Sequence, residues 1–230
     1  MKRTFDIDFV NDHLLISDNG NTILVDTGCP VTVHQERTIN FLGRDFAVCT
    51  SFMGDGVERF SSLAGIGFTT LMGMDILSQY RLVFDYAGKQ LTFLSEDEPW
   101  MEGAEVPMMD LGGGAKAVLM QIGGRSLKMA LDTGAPLSYI SPNMTANLEP
   151  VGEKDDFHPL AGNFKTPVYN IETEAAGKPF MCSYGVLSSP LSMIYRVMDG
   201  VVGYDFFRSF KVMVDFSKAL MVVTVTTFSF

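Results

Sequence analysis

Thr22-Ile23-Leu24-Val25-Asp26-Thr27-Gly28 is an apolar, β-branched run that ends on a carboxylate followed by a turn-forming glycine. Upstream, Leu14-Leu15-Ile16 passes through Ser17-Asp18-Asn19-Gly20-Asn21 into that run, and the Asn-Gly pair supplies the positive φ that a tight hairpin requires. The pattern occurs a second time. Val118 to Ile122, Gly123-Gly124 and Ser126 to Leu131 have the same form, and this hairpin also ends in Asp-Thr-Gly, at Asp132 to Gly134.

The correspondence continues downstream. Leu71-Met72-Gly73-Met74-Asp75-Ile76-Leu77 is answered by Val201-Val202-Gly203-Tyr204-Asp205-Phe206-Phe207, and Tyr80 to Tyr86 by Phe210 to Phe216. The offset between these later segments is 130 residues, against 106 between the two Asp-Thr-Gly motifs, so 24 additional residues fall between Gly134 and Gly203. Each half is expected to share one framework and carry a different insert. Thr- and Val-rich segments broken by Gly and Asn turns dominate, and long helical periodicity is nearly absent, so the fold class is all-β. The arrangement expected is two similar, closed or partly closed barrel-like lobes with a cleft between them. The acidic, Pro-containing stretch around residues 95–110 separates them. The expected division is an N-terminal lobe over 1–103, a connection over 104–112 and a C-terminal lobe over 113–230. Short helices are expected at Met74 to Gln79 and from Ser141 to Leu148, with Pro142 at the first helical position.

Composition narrows the function by exclusion. The chain has 230 residues, 47% of them hydrophobic, enough for one large or two small cores. Seventeen Lys and Arg against 27 Asp and Glu leave a net charge of −10, which argues against nucleic acid or an anionic membrane face as partner. Cys29, Cys49 and Cys182 are too few and too scattered for a disulfide framework or a thiolate metal site. His13, His34 and His158 lack ligand-like spacing, and no metal or cofactor is expected. Asp6 and Asp8 interrupt what would have to be the apolar part of a leader, and Asp215 and Lys218 interrupt the Val- and Met-rich tail. The sequence therefore reads as cytoplasmic, with no membrane span. Asn143-Met144-Thr145 is a formal glycosylation sequon, relevant only outside the cell.

An Asp at the end of an apolar strand begins near the core and is costly to ionise unless neighbours donate hydrogen bonds. Gly28 and Gly134 let the backbone turn and present its amides, while the Thr27 and Thr133 hydroxyls can tie the turn to surrounding backbone. If the halves meet about a pseudo-twofold axis, Asp26 and Asp132 become neighbours. Like charges in contact do not both ionise cheaply, so the pair should share a proton. A water between them then meets a base and an acid together, as direct peptide hydrolysis requires.

Leu24-Val25-Asp26-Thr27-Gly28 and Ala130-Leu131-Asp132-Thr133-Gly134, paired with Leu71-Met72-Gly73 and Val201-Val202-Gly203, resemble the aspartic proteases. The resemblance covers both halves, roughly residues 12–94 and 116–226, and is closer to short retroviral-type lobes in tandem than to the long lobes of pepsin. It implies that Asp26 and Asp132 carry catalysis and that Thr27 and Thr133 cross-brace the lobes. It implies also that Gly73 and Gly203 follow apolar residues threading behind the catalytic turns. The substrate implied is an extended polypeptide with apolar side chains at the cut bond, and one chain suffices for the site.

The sequence departs from that family at Cys29 and Ala135, where pepsin-like members place Ser or Thr. Without those hydroxyls the pair should hold its proton to higher pH. The first-half flap candidate is Phe46 to Phe60, with Gly54-Asp55-Gly56 at its tip; the second-half candidate lies within Asp156 to Tyr184. Asp75 and Asp205 read as helix caps, Asp85 and Asp215 as turn residues, and Trp100 as a cover over an apolar edge. Two other functions stay open. A phosphoryl-accepting Asp fits poorly, because that class needs a parallel α/β sheet and a second Asp where Gly28 stands. A protein of this fold that binds peptide or a partner chain without turnover has the same sequence signature.

Overall fold

The Asn19-Gly20 and Gly123-Gly124 turns adopt the positive φ values their hairpins require, and everything that positions the site is built outward from these two hairpins. The computed structural model describes residues 1–158 and 161–225 and is mostly β. A five-stranded sheet runs in the order Asp8–Val10, His13–Asp18, Asn21–Val25, Thr70–Met72, Val33–His34. An eight-stranded sheet repeats this order as Met109–Gly112, Ala115–Ile122, Arg125–Leu131, Gly200–Val202, Ser138–Ile140. It then continues through Lys178–Gly185, Gly162–Ala175 and Gly152–His158.

The repeat extends to register. Asn21–Val25 lies parallel to Thr70–Met72 with Ile23 opposite Thr70, and Arg125–Leu131 lies parallel to Gly200–Val202 with Met129 opposite Gly200. Both pairs obey the offsets of 106 and 130 read from the sequence. Each parallel pair is buried on both sides, which explains the unbroken apolar runs Ile23-Leu24-Val25 and Met129-Ala130-Leu131.

A six-stranded sheet joins the halves, with three strands from each: Lys2–Asp6, Gln90–Leu94 and Arg81–Asp85, then Phe210–Asp215, Leu220–Val225 and Ala104–Pro107. At its centre Arg81–Asp85 pairs antiparallel with Phe210–Asp215. Residues 104–112, read as a connection, hold two strands: Ala104–Pro107 on this sheet and Met109–Gly112 beside Ala115–Ile122. One large core cluster spans both halves, including Phe84, Phe93, Phe206 and Phe207, and two satellite clusters flank the cleft.

The helices are short. Met74–Leu77 and Tyr204–Ser209 take equivalent places, each after an N-cap glycine, Gly73 and Gly203. The span from Ser141 supports only a single 3-10 turn, Pro142–Met144, in a stretch rich in residues of low helix propensity. The N-cap positions belong to Gly73 and Gly203 rather than to Asp75 and Asp205, though Asp75 still serves its helix by accepting from Ile76 N–H at 2.9 Å. Asp75 accepts from the Thr32 hydroxyl at 2.6 Å and Asp205 from Ser183 N–H at 2.9 Å, so each ties its helix to a neighbouring segment. Asp85 and Asp215 do close turns, accepting from Gly88 N–H at 2.8 Å and Lys218 N–H at 2.9 Å. Trp100 faces cations rather than an apolar edge, with the Arg81 guanidinium 4.4 Å and the Lys218 ammonium 4.8 Å from its ring centre.

Candidate active site

The Asp-Thr-Gly turns meet where the two parallel strand pairs end. Asp26 N–H donates to Met72 O and Asp132 N–H to Val202 O, both at 3.0 Å, so each aspartate is anchored to the strand threading behind it. The turns then clasp one another. Thr27 N–H donates to Thr133 Oγ1 at 3.1 Å and Thr133 N–H to Thr27 Oγ1 at 3.0 Å. Each hydroxyl in turn donates to the opposite half, Thr27 to Leu131 O at 3.0 Å and Thr133 to Val25 O at 2.8 Å.

This brace is buried, so losing one acceptor strands a backbone donor away from water. Thr133→Val is expected to lower stability by about 1–3 kcal/mol in equilibrium denaturation, while Thr133→Ser, which keeps the hydroxyl, should retain most of it. Equal stability of the Val variant and the parent would show that the brace contributes nothing.

The glycines are required by close approach. A Cβ at Gly28 would lie 2.5 Å from Cγ of Asp132, and a Cβ at Gly134 would lie 2.5 Å from Cγ of Asp26. Each carboxyl therefore rests against the opposite turn, and the two are close enough for the charge of one to act on the other. Gly73 and Gly203 are also sterically required: a Cβ at Gly73 would lie 2.5 Å from Val31 O, and one at Gly203 would run into Ala135 O. Their N–H groups donate to Thr32 Oγ1 at 3.0 Å and Ser138 Oγ at 3.1 Å, another equivalent pair.

The two carboxyls are not electrostatically equal. Burial raises the pKa of both. Asp26 accepts from Gly28 N–H at 2.8 Å and Cys29 N–H at 3.0 Å, which favours its anion. Asp132 accepts from Gly134 N–H at 2.9 Å and lies against the Asp26 charge, so it is held well above the usual carboxylate range. The shared proton belongs on Asp132. Cys29 supplies its backbone amide only: its thiol points to Val31 O at 3.2 Å, and burial with the Asp26 charge pushes the thiol pKa up. Ala135 has no donor to offer, as its side chain requires.

No protein-family model matches this chain, and no curated protein matches it. Among solved structures, the solution structure of Simian Foamy Virus (mac) protease aligns at 14% identity with a TM-score of 0.30, covering 38% of this chain and 86% of that one.

Above the aspartates lies a cleft of about 390 Å³ with two apolar walls. Leu24, Phe52, Phe60, Phe68 and Leu71 line the first half, and Ala130, Leu187, Leu191, Ile194 and Val201 the second. The second half also supplies the covering hairpin, Gly152–His158 paired with Gly162–Ala175. It reaches the first half: Phe157 packs on the satellite cluster around Phe60, and the Lys154 ammonium meets the Asp12 carboxylate at 3.0 Å. The 24 extra residues are accounted for by this hairpin and its return strand, Lys178–Gly185.

The first-half flap expected over Phe46 to Phe60 does not form. Its hairpin falls earlier, Thr38–Phe41 with Arg44–Ala47, and Val57–Ala64 is a helix whose buried face is Val57, Phe60 and Ala64. The tight turn between is centred on Met53-Gly54, which carries Phe52 and Met53 to the cleft wall. The spacing of Val57, Phe60 and Ala64 was the available helix signal.

Four polar cleft residues carried no motif in the sequence: His13, Tyr139, Asp156 and His158. Tyr139 lies beyond the second Asp-Thr-Gly turn, and its hydroxyl donates a short hydrogen bond to Asp156 on the covering hairpin. His13, on the first hairpin, is close enough to Asp26 and Asp156 to feel both charges, and its ring stacks on Phe157 at 6.2 Å. Among the described residues, no group of three or more His, Cys, Asp or Glu is arranged to hold a metal ion.

Proposed function

We propose that this chain is an aspartic endopeptidase, built as two retropepsin-like lobes in a pepsin-like tandem, that hydrolyses peptide bonds with a water held between Asp26 and Asp132. The observation that carries the reading is the reciprocal seating of each carboxyl on the other turn's glycine. In the reaction, ionised Asp26 removes a proton from the water while its oxygen attacks the scissile carbonyl carbon. Protonated Asp132 donates to the carbonyl oxygen, giving a neutral gem-diol. On collapse, ionised Asp132 takes back a proton from a gem-diol hydroxyl as the carbonyl re-forms and the C–N bond breaks, and the nitrogen leaves as an amine carrying the proton that Asp26 took up. No covalent enzyme intermediate forms.

The substrate is an extended polypeptide. Gly152–His158 is the outer strand of its sheet, the position from which a sheet can add an extended peptide laid along the cleft. The apolar walls suit apolar side chains beside the cut bond. Both carboxyls come from one chain, so a monomer is sufficient.

A peptide-library digest over a pH series tests this. The expected result is cleavage with a bell-shaped profile, because Asp26 must be ionised while Asp132 keeps its proton. Burial raises both, so the acid limb lies above the ordinary carboxylate range. A peptide mimic bearing a hydroxyl at the scissile carbon should block the activity. No cleavage at any pH, with peptide still bound, would replace the enzyme with a binding protein of the same architecture.

A further inference from the structure

The cleft has an uneven charge that its apolar walls do not explain. Asp26 and Asp156 line it beside the protonated Asp132, and among the described residues no Lys or Arg does. Lys154, the cation nearest to Asp156 along the chain, is already engaged by Asp12 Oδ2 and Pro136 O, each at 3.0 Å. Asp156 is fixed in place: one oxygen accepts from the Tyr139 hydroxyl and the other from Phe157 N–H at 2.7 Å. A carboxylate has further lone pairs beyond those two bonds.

His13 supplies the independent observation. It is 3% exposed. Its Nδ1 lies 2.9 Å from Asn11 O, and since a carbonyl only accepts, Nδ1 carries the hydrogen. Nε2 is then an acceptor, and it is buried without any partner. Buried polar atoms are almost always satisfied, so an orphan on a cleft wall marks a place for a ligand's donor. Burial also lowers the His13 pKa, which keeps the ring neutral and accepting. His158, on the covering hairpin with Asp156, is held toward its neutral form by burial as well.

We propose that His13 Nε2 and the Asp156 carboxylate form a subsite for a basic substrate side chain, a guanidinium or ammonium that donates to both. A cation is favoured over a neutral amide or hydroxyl because burial disfavours the Asp156 anion, and a positive charge donating to it offsets that cost. This rests on the peptidase reading above and narrows its substrate to polypeptides with Lys or Arg at one fixed position relative to the cut, beside apolar residues that fill the walls.

The test uses the full chain and a peptide library in which each position around the cleaved bond carries in turn Arg, Lys, citrulline, Glu or Leu. The expected result is a preference for Arg and Lys over citrulline at one position, by about tenfold or more in kcat/KM, the effect of one charge-assisted hydrogen bond. Asp156→Asn should erase that preference, and Asp156→Lys should turn it toward Glu. Hydrolysis that treats Arg and citrulline alike at every position overturns the subsite and leaves the peptidase reading intact. If nothing is hydrolysed, the peptidase reading fails, and fluorescence anisotropy with the same peptides decides the subsite separately. Tighter binding of the Arg peptide, lost in Asp156→Asn, supports it; equal binding of the Arg and citrulline peptides overturns it.

Discussion

Asp26→Asn and Asp132→Asn are each expected to reduce peptide hydrolysis by about 10²–10⁴-fold, the usual contribution of a positioned acid or base, while the fold survives. Asn at position 26 keeps the shape that Gly28 and Cys29 N–H groups hold, but it takes no proton from water. Asn at position 132 resembles the protonated acid yet has only a weakly acidic amide to offer the carbonyl oxygen. Rates measured under saturating substrate, with binding followed separately, check this. Hydrolysis undiminished in either variant would assign the activity to other residues.

The same substitutions change how stability depends on pH. Asp132 has a folded pKa raised above its unfolded value, so between those two values the folded state binds more protons than the unfolded one. That group therefore favours folding on the acid side and opposes it as pH rises through the folded pKa. Asp132→Asn should flatten this part of the profile and raise stability near neutrality. Asp85 and Asp215 have lowered pKa values and act with the opposite sign, losing their contribution as pH falls. Thermal unfolding of parent and variant over one pH series separates the two effects.

The sequence made the framework legible because its signals are local and come twice. Asn19-Gly20 and Gly123-Gly124 specify hairpins through positive φ, and each apolar run ending in Asp-Thr-Gly must lie in a buried strand with a turn at its end. The repeated order fixed which strands would lie side by side. The clasp between Thr27 and Thr133 was expected only through the family resemblance, since no local pattern dictates that two hydroxyls exchange bonds across an axis. The cover over the cleft was not legible. Gly152–His158 is a polar strand with four charged residues in a row, Glu153 to Asp156, and nothing in Gly-Glu-Lys-Asp-Asp-Phe-His says that its Phe157 packs on the other half. His13 and Asp156 became a candidate pair only when that hairpin closed over the first lobe. Asp75 and Asp205 misled for a related reason. Acidic residues in a first helical turn usually serve the helix, and here their carboxylates are engaged by Thr32 and Ser183.

Arg81→Met is expected to cost about 3–5 kcal/mol of stability, because it leaves a buried carboxylate without its ion partner. Arg81 and Asp215 are 3% and 4% exposed at the side chain and meet at 3.2 Å across the central strand pair of the six-stranded sheet, the seam between the halves. The other two guanidinium nitrogens donate to Glu98 O at 2.9 Å and Glu96 O at 3.1 Å, and the Trp100 ring covers the group. Burial works against the Asp215 charge, but the Ser217 hydroxyl at 2.7 Å, Lys218 N–H and Arg81 together hold its pKa below the usual range. Removing Arg81 takes away the full positive charge among these donors, so the carboxylate must either take up a proton or remain ionised at high cost. The symmetric partner pair, Lys211 with Asp85 at 2.8 Å, lies half exposed at the other end of the same strand pairing and should matter far less. Adding Asp215→Asn to Arg81→Met should recover part of the loss, since a neutral amide is cheaper to bury than a lone charge. Denaturant midpoints for both singles and the double decide the matter. A loss below about 1 kcal/mol in Arg81→Met, or no recovery in the double, would show that the seam is held by its apolar strands rather than by this ion pair.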